Sequence, residues 1–319
     1  MKQNILVAGG SGFVGTNLIN ALKKSDKFKI YSNYFKNKNL DSMTNVEFKK
    51  ANLENLDDCI ELCKDKNIVV MCAANSSGAA VMEKTPLVHL SPNIRMNINM
   101  LEASYQCGVK KFIFISSNTV YPHVEFPVKE EDASFDFFEK YYVVGWMKRF
   151  SEVVTEIYSK KIKNNSMKTI IIRPGNLYGP YDKFDPEKSK VIPSLIRKVV
   201  QKNNPLQVWG DGKDLKDFLY IDDFIDALIE IINNIENFET INIASGKGIT
   251  IREILSLILK IEKAEHFKVN YDLSMPTMIP KRLINIDKAK NLINFNPKVD
   301  IYDGLKRTID WYKNKNDYN

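Results

Sequence analysis

Three glycines spaced three apart, Gly9, Gly12 and Gly15, stand between an apolar run at residues 3–8 and a segment with helical spacing at Leu18, Ile19 and Leu22. Strand, glycine turn and helix in that order form the arrangement that receives a dinucleotide pyrophosphate. Gly9 makes the tight turn, Gly12 lets the backbone approach a phosphate oxygen, and Gly15 lets the helix pack close to the strand. The diphosphate then lies on the first helical residues, Phe13 and Val14, where unpaired N–H groups and the helix dipole favour negative charge. A second strand, predicted over 28–34, carries Ser32 and Asn33 where an acidic residue would hold a ribose 2′-hydroxyl. Both are neutral and Lys36 and Lys38 follow, so charge alone leaves NAD and NADP open.

No other cluster has the spacing of a metal or nucleophile site. Cys59, Cys63, Cys72 and Cys107 include no C-x-x-C pair and are expected to be buried, reduced thiols. His89, His123 and His266 are widely separated and are expected in loops or on the surface.

The elements that must position the glycine turn repeat an α/β period. Strands are predicted at 3–8, 28–34, 46–49, 68–72, 112–116 and 169–172, and helices at 57–63, 93–107 and 143–160. The strands are apolar throughout, as in a parallel sheet covered by helices on both faces. Past Arg173 the chain turns to Pro- and Gly-punctuated loops with short helices. Segments 218–221 and 240–243, with a helix over 223–233 between them, read as returns to the sheet. The expected fold is α/β: a Rossmann-type parallel sheet with helices on both faces plus a smaller, interleaved C-terminal α/β substrate domain. The expected division is a dinucleotide-binding domain over 1–173, with return segments near 218–243. A smaller second domain follows over 174–217 and 244–313, with a frayed tail at 314–319. At 319 residues the chain can bury a full core, and 44% hydrophobic with 27% charged residues excludes a disordered class. A net charge of +7, spread along the chain, suits an anionic substrate and falls short of a nucleic-acid signature. No apolar run reaches membrane-spanning length and the N-terminus opens into a strand, so a cytoplasmic protein with neither membrane nor nucleic-acid partner is expected.

Seven segments then occur in a telling order: Gly9–Gly15, FISSNTVYP (114–122), the helix bearing Lys148, RPGNLYGP (173–180), VIPSLIRK (191–198), VWGDG…LKDFLYIDD (208–223) and INIASGKGITI (241–251). Together they resemble the extended short-chain dehydrogenase/reductases of nucleotide sugars, over about residues 3–312. The likeness is strongest to the GDP-fucose synthases (GDP-4-keto-6-deoxymannose epimerase/reductases) and, more narrowly, to bacterial GDP-D-glycero-D-manno-heptose 4-dehydrogenases.

The resemblance implies that a strand-end Ser and a Tyr-x-x-x-Lys helix meet at a nicotinamide, the Lys binding its ribose and lowering the Tyr pKa. Here Ser117 and Lys148 match, but Val144 stands where the Tyr belongs, and Tyr141 lies one helical turn earlier as a surrogate. The family's epimerase Cys and His correspond to Thr119 and Lys190, so epimerisation at C3 and C5 is not expected. Candidate catalytic residues are thus Ser117, Lys148, Thr119 and Tyr141. The implied cofactor shell is Gly9, Gly12, Phe13, Val14, Gly15, Ser32, Asn33, Asn52, Leu53, Ala73, Ala74, Lys148, Pro174, Asn176 and Leu177. The implied substrate shell is Asn176, Lys190, Val191, Arg197, Val208, Trp209, Lys216 and Arg282, with no metal. The expected reaction is NAD-dependent oxidation of C4 of a GDP-linked manno-configured sugar, GDP-D-glycero-α-D-manno-heptose, to the 4-keto sugar, with a second ketoacid recycling the cofactor. The alternative is an NADP-dependent reductase acting on a GDP-4-keto-6-deoxy sugar, or a non-catalytic homologue. The resemblance also implies a homo-oligomer, a dimer through a four-helix bundle or a larger assembly.

Overall fold

The computed structural model describes residues 2–35, 44–76, 81, 84–275 and 277–316. Seven parallel strands form the large sheet: β1 (Gln3–Ala8), β2 (Phe28–Tyr34), β3 (Val46–Lys50), β4 (Ile68–Met71), β5 (Lys111–Ile115), β6 (Lys168–Pro174) and β11 (Glu239–Ile243). Their spatial order is β11-β6-β5-β4-β1-β2-β3. The order reverses between β1 and β4, so the chain leaves both strands in opposite directions and opens a crevice beyond their carboxyl ends. Ile5, Val7, Val70, Ile113, Ile170 and Ile172 fill the core on one face, and Leu6, Ala8, Val69, Met71, Phe112, Phe114 and Ile171 fill it on the other. That two-residue alternation, apolar on both sides, is why the strands read as unbroken apolar runs.

Helices α1 (Phe13–Leu22), α2 (Leu56–Cys63), α3 (Leu87–Gln106), α4 (Tyr142–Lys160) and α6 (Ile221–Asn234) belong to this layer. Helix α3 begins six residues before the predicted start at 93 and carries Pro92 inside it. Proline lacks the N–H that would bond the Val88 carbonyl one turn back. The Asn75 side chain donates to that carbonyl at 3.0 Å instead, which ties the loop after β4 to α3.

The smaller C-terminal α/β region holds α5 (Val191–Val200), α7 (Ile251–Ile261), α8 (Asp287–Ile293) and α9 (Ile301–Asn316). Three small sheets accompany them: β7 (Asn176–Tyr178) with β10 (Phe218–Tyr220), β8 (Leu206–Trp209) with β13 (Val269–Asp272), and β9 (Leu215–Lys216) between β12 (Ile249–Thr250) and β14 (Lys281–Arg282). Helix α7 starts at a capping box in which Thr250 and Glu253 satisfy each other's backbone N–H. The expectation for 240–243 holds, since β11 pairs with β6. That for 218–221 does not: β10 pairs with β7, beyond the bend at Gly175, and never reaches the large sheet. An apolar triplet fixes burial but not which strand it borders.

Candidate active site

The glycine turn is built as a cradle. Gly9 has φ +84°, and a side chain there would sit 2.6–2.8 Å from Ala73. A Cβ on Gly15 would strike the Gly9 carbonyl and lie 2.7 Å from the Gly10 Cα, so α1 packs directly on the turn. Gly12 is exposed, and α1 starts after it with no side-chain cap and no acid in its first turn. The first helical N–H groups, at Phe13, Val14 and Gly15, therefore face an open edge that suits an anion. Behind the turn, Ser32 and Asn33 are buried: Ser32 donates to the Val7 carbonyl at 2.7 Å, and the Asn33 carbonyl oxygen accepts from the Gly9 N–H at 2.8 Å. Their polar groups brace the turn from beneath. Lys36 and Lys38 lie outside the described residues.

Loops from β3 and β4 complete this side. The Asn52 backbone N–H donates to Asp58 at 2.7 Å and its side-chain oxygen accepts from the Glu54 N–H at 3.1 Å. Leu53 is buried beneath it. Ala73 lies against Gly9, followed by the exposed Ala74. Asn93 on α3 accepts from the Asn75 N–H at 2.8 Å and donates to its carbonyl at 2.9 Å. His89, expected in a loop or at the surface, is instead buried within α3, with Nδ1 3.0 Å from the same carbonyl. Cys59 and Cys63 are buried and their thiols are pushed up to about 12 by desolvation, which leaves them unreactive.

At the end of β5, Ser117 caps a short 3₁₀ turn over 118–120. Its Oγ accepts from the Thr119 N–H at 3.2 Å and from the Thr119 hydroxyl at 3.0 Å. With those acceptor positions filled, the Ser117 proton is free to point at a ligand. Helix α4 crosses directly over this turn, because Gly145 leaves no Cβ to meet the Thr119 carbonyl, 2.9 Å away from where it would be. Lys148 follows on the same helix, buried, with Nζ donating to the Ile115 carbonyl at 2.8 Å and lying 4.9 Å from the centre of the Phe114 ring. Desolvation pulls the ammonium down to about 8, a fall that the Glu152 charge partly offsets.

Tyr141 does not join this group. It belongs to a 3₁₀ turn over Glu139–Tyr141, and α4 starts one residue later. The three- and four-residue steps that would align residue 141 with 148 therefore do not apply. Its phenol accepts a hydrogen bond from the Ile279 backbone and is pushed up to about 12 by burial, with Arg282 and Asp214 nearby.

The candidates from the second half fall into separate places. The Asn176 amide donates to the Asp217 carbonyl at 2.9 Å, beside buried Leu177, while Pro174 at the end of β6 accepts from the Asn118 amide at 3.1 Å. Lys190 and Val191, both exposed, open α5, and Arg197 farther along it reaches Gln201 at 3.3 Å. Val208 is buried and Trp209 half-buried on β8. Lys216 and Arg282 pair in register across β9 and β14. Lys216 bonds the Ile279 carbonyl and sits 3.3 Å from Asp214. Arg282 is almost fully buried, donating to the carbonyls of Pro122 at 2.8 Å and Tyr121 at 3.0 Å. Its Nε has no partner, and desolvation pulls its pKa down to about 10.

Sequence reasoning missed a buried network behind Lys148. Glu152 is wholly buried and takes Arg173 through two bonds of 2.9 and 2.8 Å; Arg173 also donates to the Tyr121 hydroxyl at 3.0 Å. Asp217 is likewise buried, accepts from the Ser245 and Gly246 N–H groups at 2.8 and 2.9 Å, and is pushed up to about 6 by desolvation. The one available signal was a glutamate on an apolar helix, one turn past Lys148.

Known proteins share this architecture. The chain is 30% identical to GDP-L-fucose synthase 1 of Arabidopsis thaliana over 98% of its own length and 93% of that protein's. It is 29% identical to a GDP-L-fucose synthase of Sinorhizobium fredii, covering 97% and 95% of the two chains. UDP-glucuronic acid 4-epimerase from Bacillus cereus, solved with UDP-glucuronic acid and NAD, superposes with a TM-score of 0.86 at 26% identity, covering 98% of this chain and 100% of that one. These similarities correct the expected reaction. A GDP-L-fucose synthase and a 4-epimerase both end on a sugar with a hydroxyl at C4, so oxidation of a GDP-heptose to a released 4-keto product is not supported. Residues 5–244 match a single family description, a span that runs from β1 through β11 and so carries the crevice with it: the chain belongs to the NAD dependent epimerase/dehydratase family.

Proposed function

We propose that the protein is an NAD-dependent reductase that converts the C4 ketone of a GDP-linked 4-keto sugar to the alcohol. The observation that carries this reading is a strand-end Ser117 whose Oγ already accepts from Thr119, with the buried Lys148 ammonium held on the carbonyl of Ile115 two residues before it. NAD is the cofactor. The open α1 N-terminus and the side-chain-free surface at Gly9 and Gly12 fit its diphosphate, and the similar Bacillus cereus epimerase was solved with NAD. When bound and reduced, it supplies the hydride. The GDP preference is supported by the GDP-L-fucose synthases, whose full length this chain nearly spans.

The protein's own residues hold and protonate the sugar. Ser117, fed by Thr119, donates a hydrogen bond to the C4 oxygen and polarises the ketone. As that oxygen becomes an alkoxide, the Lys148 ammonium releases its proton to it through a bridging water. An ammonium brought down to about 8 is a competent acid near neutrality. Thr119 and Lys190 occupy the places of the family's epimerising pair, so C3 and C5 keep their configuration. Lys216 and Arg282, both buried on backbone carbonyls, contribute positive field and not direct contacts to the diphosphate. A reductase consumes NADH, so the second ketoacid has no part in it.

Leu87, Tyr142, Trp146 and Phe150 leave an exposed apolar face on α3 and α4, which suits a homodimer through those two helices.

The test is direct. The purified protein is denatured and its released dinucleotide identified by mass, then GDP-4-keto-6-deoxymannose and NADH are added in deuterated water. Loss of the reduced-nicotinamide absorbance, with a GDP-6-deoxyhexose free of deuterium at C3 and C5, is the expected result. No bound dinucleotide and no NADH consumption would overturn the proposal.

A further inference from the structure

Glu152 is a carboxylate with no exposure at all, and donors occupy both of its oxygens. Oε1 accepts from Ser116 Oγ at 2.5 Å and Arg173 Nε at 2.9 Å; Oε2 accepts from Arg173 Nη2 at 2.8 Å and Arg149 Nη1 at 3.1 Å. A carboxylate buried this deeply stays ionised only where opposite charges and hydrogen bonds surround it. Its position is as informative as its bonding. Lys148 and Glu152 are one helical turn apart on the same side of α4. Lys148 bonds the carbonyl of Ile115, and Glu152 bonds the hydroxyl of the next residue, Ser116. Two rungs therefore fasten α4 to the last residues of β5, immediately before Ser117. Ser116 is held from the other side, its N–H donating to the Ile172 carbonyl at 2.7 Å, and Arg173 extends the tie to the end of β6.

The charges behind the Lys148 amine come from two elements. On α4 itself there is Glu152, which carries Arg149, and on β6 there is Arg173, also on Glu152. The strand-end turn contributes only the Tyr121 phenol, pushed up to about 12 and so neutral, while β5 presents the Phe114 ring. Glu130 offers Arg173 its backbone carbonyl, and its carboxylate is engaged with the Asn242 N–H. Glu152 is thus the charge that acts on the buried ammonium, and the two guanidiniums hold it in place.

We propose that Glu152 is a positioning residue for the reaction: it sets the height of Lys148 against β5 and supplies the negative charge that keeps the buried ammonium protonated. This rests on the role given to Lys148 above, but its test does not require turnover. In protein stripped of nucleotide, the pH dependence of Lys148 acetylation by acetic anhydride, read by peptide mass, reports the charge state of the amine directly. In Glu152→Gln the midpoint should fall by about one pH unit or more, and NADH affinity at pH 8 should weaken about five-fold or more with it. Ser116→Ala removes one rung and no charge, so its midpoint should stay in place while kcat falls and KM is little changed. Glu152→Asp keeps the charge and moves it, and should restore the midpoint without restoring kcat; if Glu152→Gln does not fold, a parental kcat in Glu152→Asp overturns the inference in its place. An unchanged midpoint in Glu152→Gln, with only a lower melting temperature, would reduce the residue to a structural tie and overturn the inference. Absence of NADH consumption in the unsubstituted protein would instead overturn the reductase reading and leave the midpoint comparison intact.

Discussion

In the proposed reaction a water and Lys148 carry the proton that the resemblance assigns to a phenol at position 144. If water and Lys148 carry the proton, then Val144→Tyr should raise kcat by about ten-fold or more, because a positioned acid outperforms a mobile one; steady-state NADH oxidation checks this. Ser117→Ala should lower kcat by about a hundred-fold, since it removes the hydroxyl proton proposed to meet the substrate oxygen. The pH dependence follows from the depressed Lys148 value. Below about 8 the amine is an ammonium and can act as an acid, so kcat should fall as pH rises through that value. The same shift has a stability sign. The unfolded chain holds this proton up to the ordinary lysine value of 10.5, so from about 8 to 10.5 it binds more protons than the native state, and native stability rises with pH. Lys148→Met should therefore melt higher than the parent at neutral pH, and the gap should narrow towards pH 10 in calorimetry.

The elements succeed or fail as positioning devices according to how closely they approach one another. Gly15→Ala forces a methyl group into the Gly9 carbonyl and the Gly10 backbone, neither of which is a movable side-chain end. It should cost about 1–3 kcal/mol and abolish dinucleotide binding, as read by melting temperature with and without NAD. This part of the molecule was legible in the sequence, because a buried strand, a left-handed turn and a close helix each demand particular residue types. The parallel, doubly covered sheet and the helix carrying Lys148 were legible for the same reason. Other features depended on partners far along the chain. Pro92 read as a helix start because the sequence does not reveal that Asn75 satisfies the carbonyl it frees. Tyr141 read as helical because a 3₁₀ turn and an α-turn differ by a fraction of a residue per turn. Glu152 drew no reading from the sequence, since its partner Arg173 stands twenty-one residues away.

At the scale of the whole molecule, the α3–α4 face and the joint between the two halves matter most. Trp146→Asp places a charge in the centre of the apolar face and should convert a dimer to a monomer in sedimentation, with little change in melting temperature, because Trp146 is already 38% exposed in the single chain. The joint is tighter. Arg282, from the last forty residues, ends on the carbonyls of Tyr121 and Pro122; Lys140 reaches the Thr277 carbonyl at 2.7 Å, and Tyr141 meets the Ile279 backbone. These contacts surround the start of the helix that bears Lys148. The first half is consequently no transplantable cassette: grafted without the final third of its own chain, it would leave two carbonyls beside the strand-end serine uncapped and the approach to that helix unsupported. Chimeras between relatives should exchange the C-terminal segment and the residues 121–141 as one unit.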